Sequence, residues 1–168
     1  GDLTLEITDE NGDKYVLDVP AINFYSGKRT VLNVEWKTPS SAYLPAVSTF
    51  NLEINRFLNS YPSITKIKFI ARTEQTTSCE LVSHSGTDGS KMYLRQNGQT
   101  LEVLTSGDQF IPPANCDQMF DATLSYLALS IVNSLSTIVD IYFGDSVNTT
   151  GVTSLKRFFN GCRALRSV

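Results

Sequence analysis

Apolar and polar residues alternate from the start of the chain, with Leu3, Leu5 and Ile7 in one run and Tyr15, Leu17 and Val19 in the next. A period of two turns one side of an extended chain toward a core. Asn11-Gly12 lies between the runs, and that dipeptide suits the left-handed backbone of a tight hairpin. A third strand is expected over Thr30–Trp36, after a turn at Ser26-Gly27-Lys28. Thr38-Pro39-Ser40-Ser41 and Pro45 then interrupt the pattern. Phe50, Leu52, Ile54, Phe57 and Leu58 predict one helix from Thr49 to about Ser60. Tyr61-Pro62 ends it, because a residue before proline is pushed out of the helical region. Strands are expected at Lys66–Ala71 and Cys79–Ser83, and a hairpin joins Met92–Arg95 to Thr100–Leu104 around Asn97-Gly98. Ile111-Pro112-Pro113 breaks the chain before a helix expected to open near Asn115.

Near the C-terminus the period changes. Leu155, Phe158, Phe159, Cys162, Leu165 and Val168 follow steps of three and four, which predicts a short amphipathic helix. Gly161 supplies a left-handed cap, and Leu165 to Val168 lead into a strand. Cys116-Asp-Gln-Met119-Phe120 is a similar stretch upstream. A helix or turn followed by one strand is the unit of a leucine-rich solenoid, which stacks on neighbours and carries no chemistry of its own. The expected core here is Cys116, Met119, Phe120, Leu155, Phe158, Phe159, Cys162 and Leu165, with Cys116 and Cys162 at the inward positions of the two units.

The run from Asn148-Thr-Thr-Gly-Val through Phe158-Phe159-Asn-Gly-Cys162-Arg-Ala-Leu165 resembles bacterial surface-protein leucine-rich repeats of the Met-Phe-x-x-Cys-x-x-Leu type. Residues 99–120 resemble the lead-in that precedes such arrays. Phe158 stands where that pattern has Met, and the aromatic cores lie farther apart than the usual repeat of about 20–29 residues, so an extra helix is expected at 121–132. Tyr15-x-Leu-x-Val-Pro20 and Phe24 to Val34 resemble, more weakly, the last strands of fimbrillin-like β-sandwich domains. The fold class expected is α+β, with a small antiparallel β-rich part at 1–37, a mixed segment with a hairpin at 38–114, and a leucine-rich-repeat-like end at 115–168.

A chain of 168 residues is long enough to bury a core. Net charge is −3 and the basic residues are scattered, which argues against nucleic acid as a partner. No apolar run approaches the roughly 18 residues of a membrane span. The opening Gly1-Asp2-Leu3 reads as the inside of a strand, so a trimmed or mature portion of a longer exported protein is expected, with a lipid anchor upstream as one option.

The three cysteines, Cys79, Cys116 and Cys162, lack the close ligand pairs of a zinc site. Buried thiols are the expectation, and a Cys116–Cys162 disulfide is the alternative. The single histidine, His84, sits in Ser83-His84-Ser85-Gly86-Thr87-Asp88-Gly89, where small polar residues predict a loop. A triad needs its members to converge from separate elements, so no catalytic residue is assigned. Asp9 to Asp13 offers alternate oxygens but lacks the glycine and bidentate glutamate of a calcium loop. Asn148-Thr-Thr is formally a glycosylation sequon, better read as the polar lead into the repeat. No metal and no cofactor is expected.

Exposed aromatic faces suit carbohydrate, and Trp36, Tyr43 and Tyr61 are the candidate ligand contacts, although burial is the commoner fate of such rings. The resemblance implies a non-enzymatic module at the outer cell surface that adheres to or recognises a protein or carbohydrate partner. The alternative is a glycan-processing hydrolase with a pocket the sequence does not reveal. Leu165 to Val168 leaves a strand edge uncapped, so self-association through it, or a longer array, is also expected.

Overall fold

A computed structural model describes residues 3–8, 14–19, 40–73, 79–85 and 91–168. The chain divides into two compact units, Gly1–Lys37 and Thr38–Val168. In the first unit, β1 (Leu3–Thr8) and β2 (Lys14–Val19) pair antiparallel, with Leu3 opposite Val19, Leu5 opposite Leu17 and Ile7 opposite Tyr15. The register sets the two alternating apolar runs against each other, as a hairpin requires. The connecting residues 9–13, the expected turn at Ser26 and the expected strand over Thr30–Trp36 lie outside the described residues.

The second unit is built on a mixed five-stranded sheet. Its strands are β4 (Lys66–Ile70), β5 (Glu80–Ser85), β6 (Lys91–Asn97), β7 (Thr100–Thr105) and β9 (Asp140–Tyr142), in the order β5-β6-β7-β4-β9. β6 runs antiparallel to both β5 and β7, whereas β4 runs parallel to both β7 and β9. β6 and β7 close on Gly98 and Gln99, and Gly98 has φ +58°. Glycine thus occupies the first central position of the two-residue loop, where a type II′ turn needs it. β3 (Ser41–Tyr43) and β8 (Gln109–Ile111) form a separate parallel pair.

α1 spans Val47–Ser60, beginning two residues before the expected start and ending where Tyr61-Pro62 forbids continuation. Its buried face carries Phe50, Ile54, Phe57 and Leu58, and also the carboxamides of Asn51 and Asn55. These apolar side chains join Ile67, Phe69, Leu94, Leu101, Val103 and Phe110 in one core. Each contributes about 1.5–3 kcal/mol when fully buried.

Beyond β8 the chain runs in passes that lie parallel to earlier ones. Val147 bridges Phe110, Ser154 bridges Asn115, and Ser167 bridges Asp140 at the free side of β9. No α-helix forms in this half among the described residues, which corrects three expectations. Near Asn115 there is a bridge and then turns, and at 121–132 only Leu127–Leu129 takes a single 3-10 turn. Here side chains take the carbonyls a helix would use. Asn51 and Asn133 both donate to the Asp121 carbonyl, and Asn133 also donates to that of Leu124. The third expected helix, at 155–162, is a run of turns closed by three-residue bonds such as Phe158 N–H to Leu155 O and Cys162 N–H to Phe159 O. Arg157 and Gly161, at φ +57° and +74°, are left-handed and prevent a right-handed helix. Gly161 is also required sterically, because a Cβ there would lie 2.7 Å from the Thr123 methyl.

Candidate functional site

The two similar stretches stack on one another as coils. On the first coil, the N–H groups of Cys116, Gln118, Phe120 and Ala122 donate to the carbonyls of Ser154, Lys156, Phe158 and Asn160 on the second. Turn bonds repeat in the same places, Met119 N–H to Cys116 O matching Phe158 N–H to Leu155 O, and Gln118 is left-handed where Arg157 is. Counterparts are therefore 39 residues apart, as in the pair Asp121 and Asn160, whose side chains bond directly. In this register Cys116 corresponds to Leu155, and Cys162 corresponds to Thr123. The expected equivalence of the two cysteines is thereby corrected.

Phenylalanines occupy the inside. Phe120 is fully buried and packs on Phe50 at 5.4 Å, Phe158 at 5.3 Å and Phe159 at 5.9 Å between ring centroids. Phe143 packs on Phe120 at 5.9 Å and on Phe69 at 5.1 Å. Cys116 and Met119 are buried with Phe120, while Phe158, Phe159, Cys162 and Leu165 are partly buried against the same core. Leu155, expected among them, is 57% exposed. It sits on the second coil at a side that no further chain covers among the described residues.

Beside these rings opens a cavity of about 390 Å³. Met119, Phe120, Val152, Leu155, Phe158 and Val168 are among its lining, which includes no aspartate, glutamate or histidine. Val168 is 62% exposed, so the mouth presents two aliphatic side chains to solvent. Such a lining favours apolar side chains of a partner over polar small molecules.

The buried polar side chains nearby are internally satisfied. Asp121 is fully buried and accepts from the Thr123 main chain at 2.7 Å and hydroxyl at 2.5 Å, from Gln118 at 3.0 Å and from Asn160 at 3.2 Å. Arg157 stands 3.6 Å away. Burial pushes this carboxyl up, but the bonds from Thr123, Gln118 and Asn160 outweigh it and hold it below the usual carboxylate value. Asn51 donates to the carbonyls of Met119 at 3.0 Å and Asp121 at 3.3 Å, and accepts from Tyr126 at 2.7 Å. Asn55 accepts from the Ser134 main chain at 2.7 Å, and Asn59 both donates to and accepts from the Val132 main chain. The buried carboxamides of Asn51 and Asn55, and the exposed one of Asn59, were not anticipated from sequence, although the three recur at the four-residue spacing of one helix face.

Cys116 and Cys162 are thiols, not a disulfide. The first donates to Pro113 O at 2.9 Å and the second to Phe120 O at 3.0 Å. Burial, reinforced by the Asp121 charge, pushes Cys162 up to about 11, and burial beside Asp117 raises Cys116 as well. Neither is poised as a nucleophile.

His84 lies on β5, which replaces the loop expected for it, and the Gly86–Ser90 stretch that would have completed a local triad lies outside the described residues. Of the candidate ligand contacts, Tyr43 and Tyr61 are 37% and 39% exposed, and no ring contact joins them. Tyr61 packs on Phe57 at 4.7 Å. Trp36 and the acidic Asp9–Asp13 stretch lie outside the described residues. Among the described residues no cluster of His, Cys, Asp or Glu could hold a metal ion, and no helix is long and apolar enough to cross a membrane.

No protein-family model matches this chain, and neither curated proteins nor solved structures give a match.

Proposed function

We propose that this chain is a recognition module, without chemistry of its own, that adheres to a protein or glycan partner at the bacterial cell surface. One observation carries the reading. An apolar cavity has an exposed aliphatic rim, Leu155 and Val168, and a lining without aspartate, glutamate or histidine, its one thiol, Cys116, being held protonated by burial. Proton transfer needs a titratable group within hydrogen-bond reach of the reacting atom. Exposed apolar surface next to a concavity suits docking instead.

The stacked coils at 115–122 and 154–161 support the resemblance to surface-protein leucine-rich repeats, with Leu165 to Val168 as the strand segment of that unit. The hairpin of β1 and β2 is compatible with a fimbrillin-like front. Export and display outside the cell follow from those resemblances.

Immobilised protein and glycan panels, probed with the purified chain, test the reading. Saturable binding to one class without turnover is the expected result. A parallel screen with ester, peptide and glycoside substrates addresses the rival hydrolase, which would need two carboxylates about 5–10 Å apart across a cleft. Turnover abolished by His84→Ala, or by removing such a carboxylate pair, would defeat the proposal.

A further inference from the structure

The two coils are chemically unequal at their outer sides. The first coil's carbonyls of Met119 and Asp121 are the counterparts of Phe158 and Asn160, whose carbonyls accept bonds from the coil stacked on them. At Met119 and Asp121 those bonds come instead from the Asn51 carboxamide of α1. One side chain thus takes the place of a preceding coil. Among the described residues the second coil has no such substitute. The N–H groups of Leu155, Arg157, Phe159 and Gly161 are the counterparts of those that join the coils, and none has an acceptor among the described residues. The carbonyls of these same residues are spent on the coil's own turns, accepting from Phe158, Asn160, Cys162 and Arg163.

The geometry points to a docking strip at 155–161, whose partner is a polypeptide coil lying parallel to it, with carbonyls at every second residue and apolar side chains at the spacing apolar-x-x-apolar-Phe. The reading rests on the recognition role above and names its partner class. Donor spacing sets the backbone requirement, because alternate N–H groups along an extended edge are met by alternate carbonyls. The pattern of side chains follows from the stack already present. Phe120 packs on Phe158 and Phe159, and Cys116, Met119 and Leu155 line one cavity with them, so the next layer in register offers residues of the same type over Leu155, the cavity and Val168.

A second copy of this chain does not meet the requirement. Two strips facing each other across a two-fold axis would set N–H against N–H, since the carbonyls that an antiparallel pair exchanges are occupied. Head-to-tail stacking would need the Met119 and Asp121 carbonyls on the side where the Asn51 side chain of α1 already lies, with a second donor, Asn133, on Asp121 O. The self-association expected from the sequence is therefore not supported through this strip. A free glycan lacks the apolar side chains that would fill the cavity.

A peptide copying the second coil, Ser-Leu-Lys-Arg-Phe-Phe-Asn-Gly-Ser-Arg with blocked ends and a fluorophore, serves as the probe. Its anisotropy is titrated with the full chain, with a scrambled peptide as control. Saturable binding is expected for the copy and none for the scramble. Leu155→Asp and Val168→Asp, at exposed sites that should leave the melting temperature unchanged, are expected to weaken binding at least tenfold each. In amide spectra the signals of Leu155, Arg157, Phe159 and Gly161 should shift most. Equal binding of the scramble, no saturable binding, or binding unchanged by both variants would overturn the proposal. So would a concentration-dependent dimer that Leu155→Asp dissolves. A glycan or folded-protein ligand that binds both variants normally would leave the recognition role standing and remove this strip from it.

Discussion

Replacing Asn51 by leucine tests the buried carboxamide that joins helix to coil. The side chains are similar in shape, so the change removes bonds while adding little volume. Four bonds disappear: to Met119 O at 3.0 Å, to Asp121 O at 3.3 Å, from Tyr126 at 2.7 Å and from Asn55 at 3.0 Å. Two of the partners keep an alternative. Asp121 O retains Asn133 at 3.0 Å, and Asn55 retains the residue-51 carbonyl at 2.9 Å. The Met119 carbonyl and the Tyr126 hydroxyl do not. A buried polar group left without its bond costs about 1–3 kcal/mol, so the two together cost about 2–6 kcal/mol. The apolar side chain recovers about 1–2 kcal/mol by its own burial, leaving a net loss of about 2.5 kcal/mol at the middle of the two ranges. Equilibrium urea unfolding measures it directly. Tyr126→Phe should by itself cost about 1 kcal/mol, and the double variant should fall short of the sum because the two changes delete one shared bond. A loss under about 1 kcal/mol for Asn51→Leu, or strict additivity with Tyr126→Phe, would refute the assignment of these bonds as buried and coupled.

The remaining predictions concern the core, acid and the thiols. Phe120→Ala should cost about 3–5 kcal/mol in the same unfolding assay, and a value near zero would show that the ring is not the centre of the cluster. Because Asp121 is held below the usual carboxylate value when folded, its contribution is complete above its unfolded value of about 3.9 and is lost as pH falls through the lowered folded value. Asp121→Asn should flatten that part of the acid limb of a stability-versus-pH curve, and an unchanged slope would contradict it. Cys116 and Cys162 should react with a disulfide reagent at pH 8 far more slowly in the native chain than in denaturant, with no mass change on reduction. Fast native reaction at both sites would show that burial does not protect them.

The elements with a clean period were legible in the sequence. Leu3 to Ile7 and Tyr15 to Val19 pair as a hairpin, the helix ends at Tyr61-Pro62, and β4, β6 and β7 lie close to where alternation placed them. The second half was misread because a three-and-four spacing is shared by helices and by stacked turns. What separates them is the destination of the backbone bonds. Phe158 and Asn160 give their carbonyls to Phe120 and Ala122, and that long-range choice leaves no local trace except Gly161. The aromatic core at Met119, Phe120, Phe158 and Phe159 was visible, but an off-by-seven pairing of cysteines hid the true register, in which Leu155 faces outward. The asparagines of α1 read as ordinary polar positions, since a buried carboxamide differs from an exposed one only in the partner folded against it.

The unequal satisfaction of the coils also sets how their amides trade protons with solvent. From Cys116 through Thr123 every N–H has an acceptor, supplied in turn by the second coil, by the coil's own turns, or by the side chains of Asn115 and Asp121. From Leu155 through Cys162 only the even-numbered amides do among the described residues. In deuterated buffer the first stretch should therefore hold its label as an unbroken block, while the second exchanges at alternate residues, so that two segments of nearly the same shape carry clocks running at different rates.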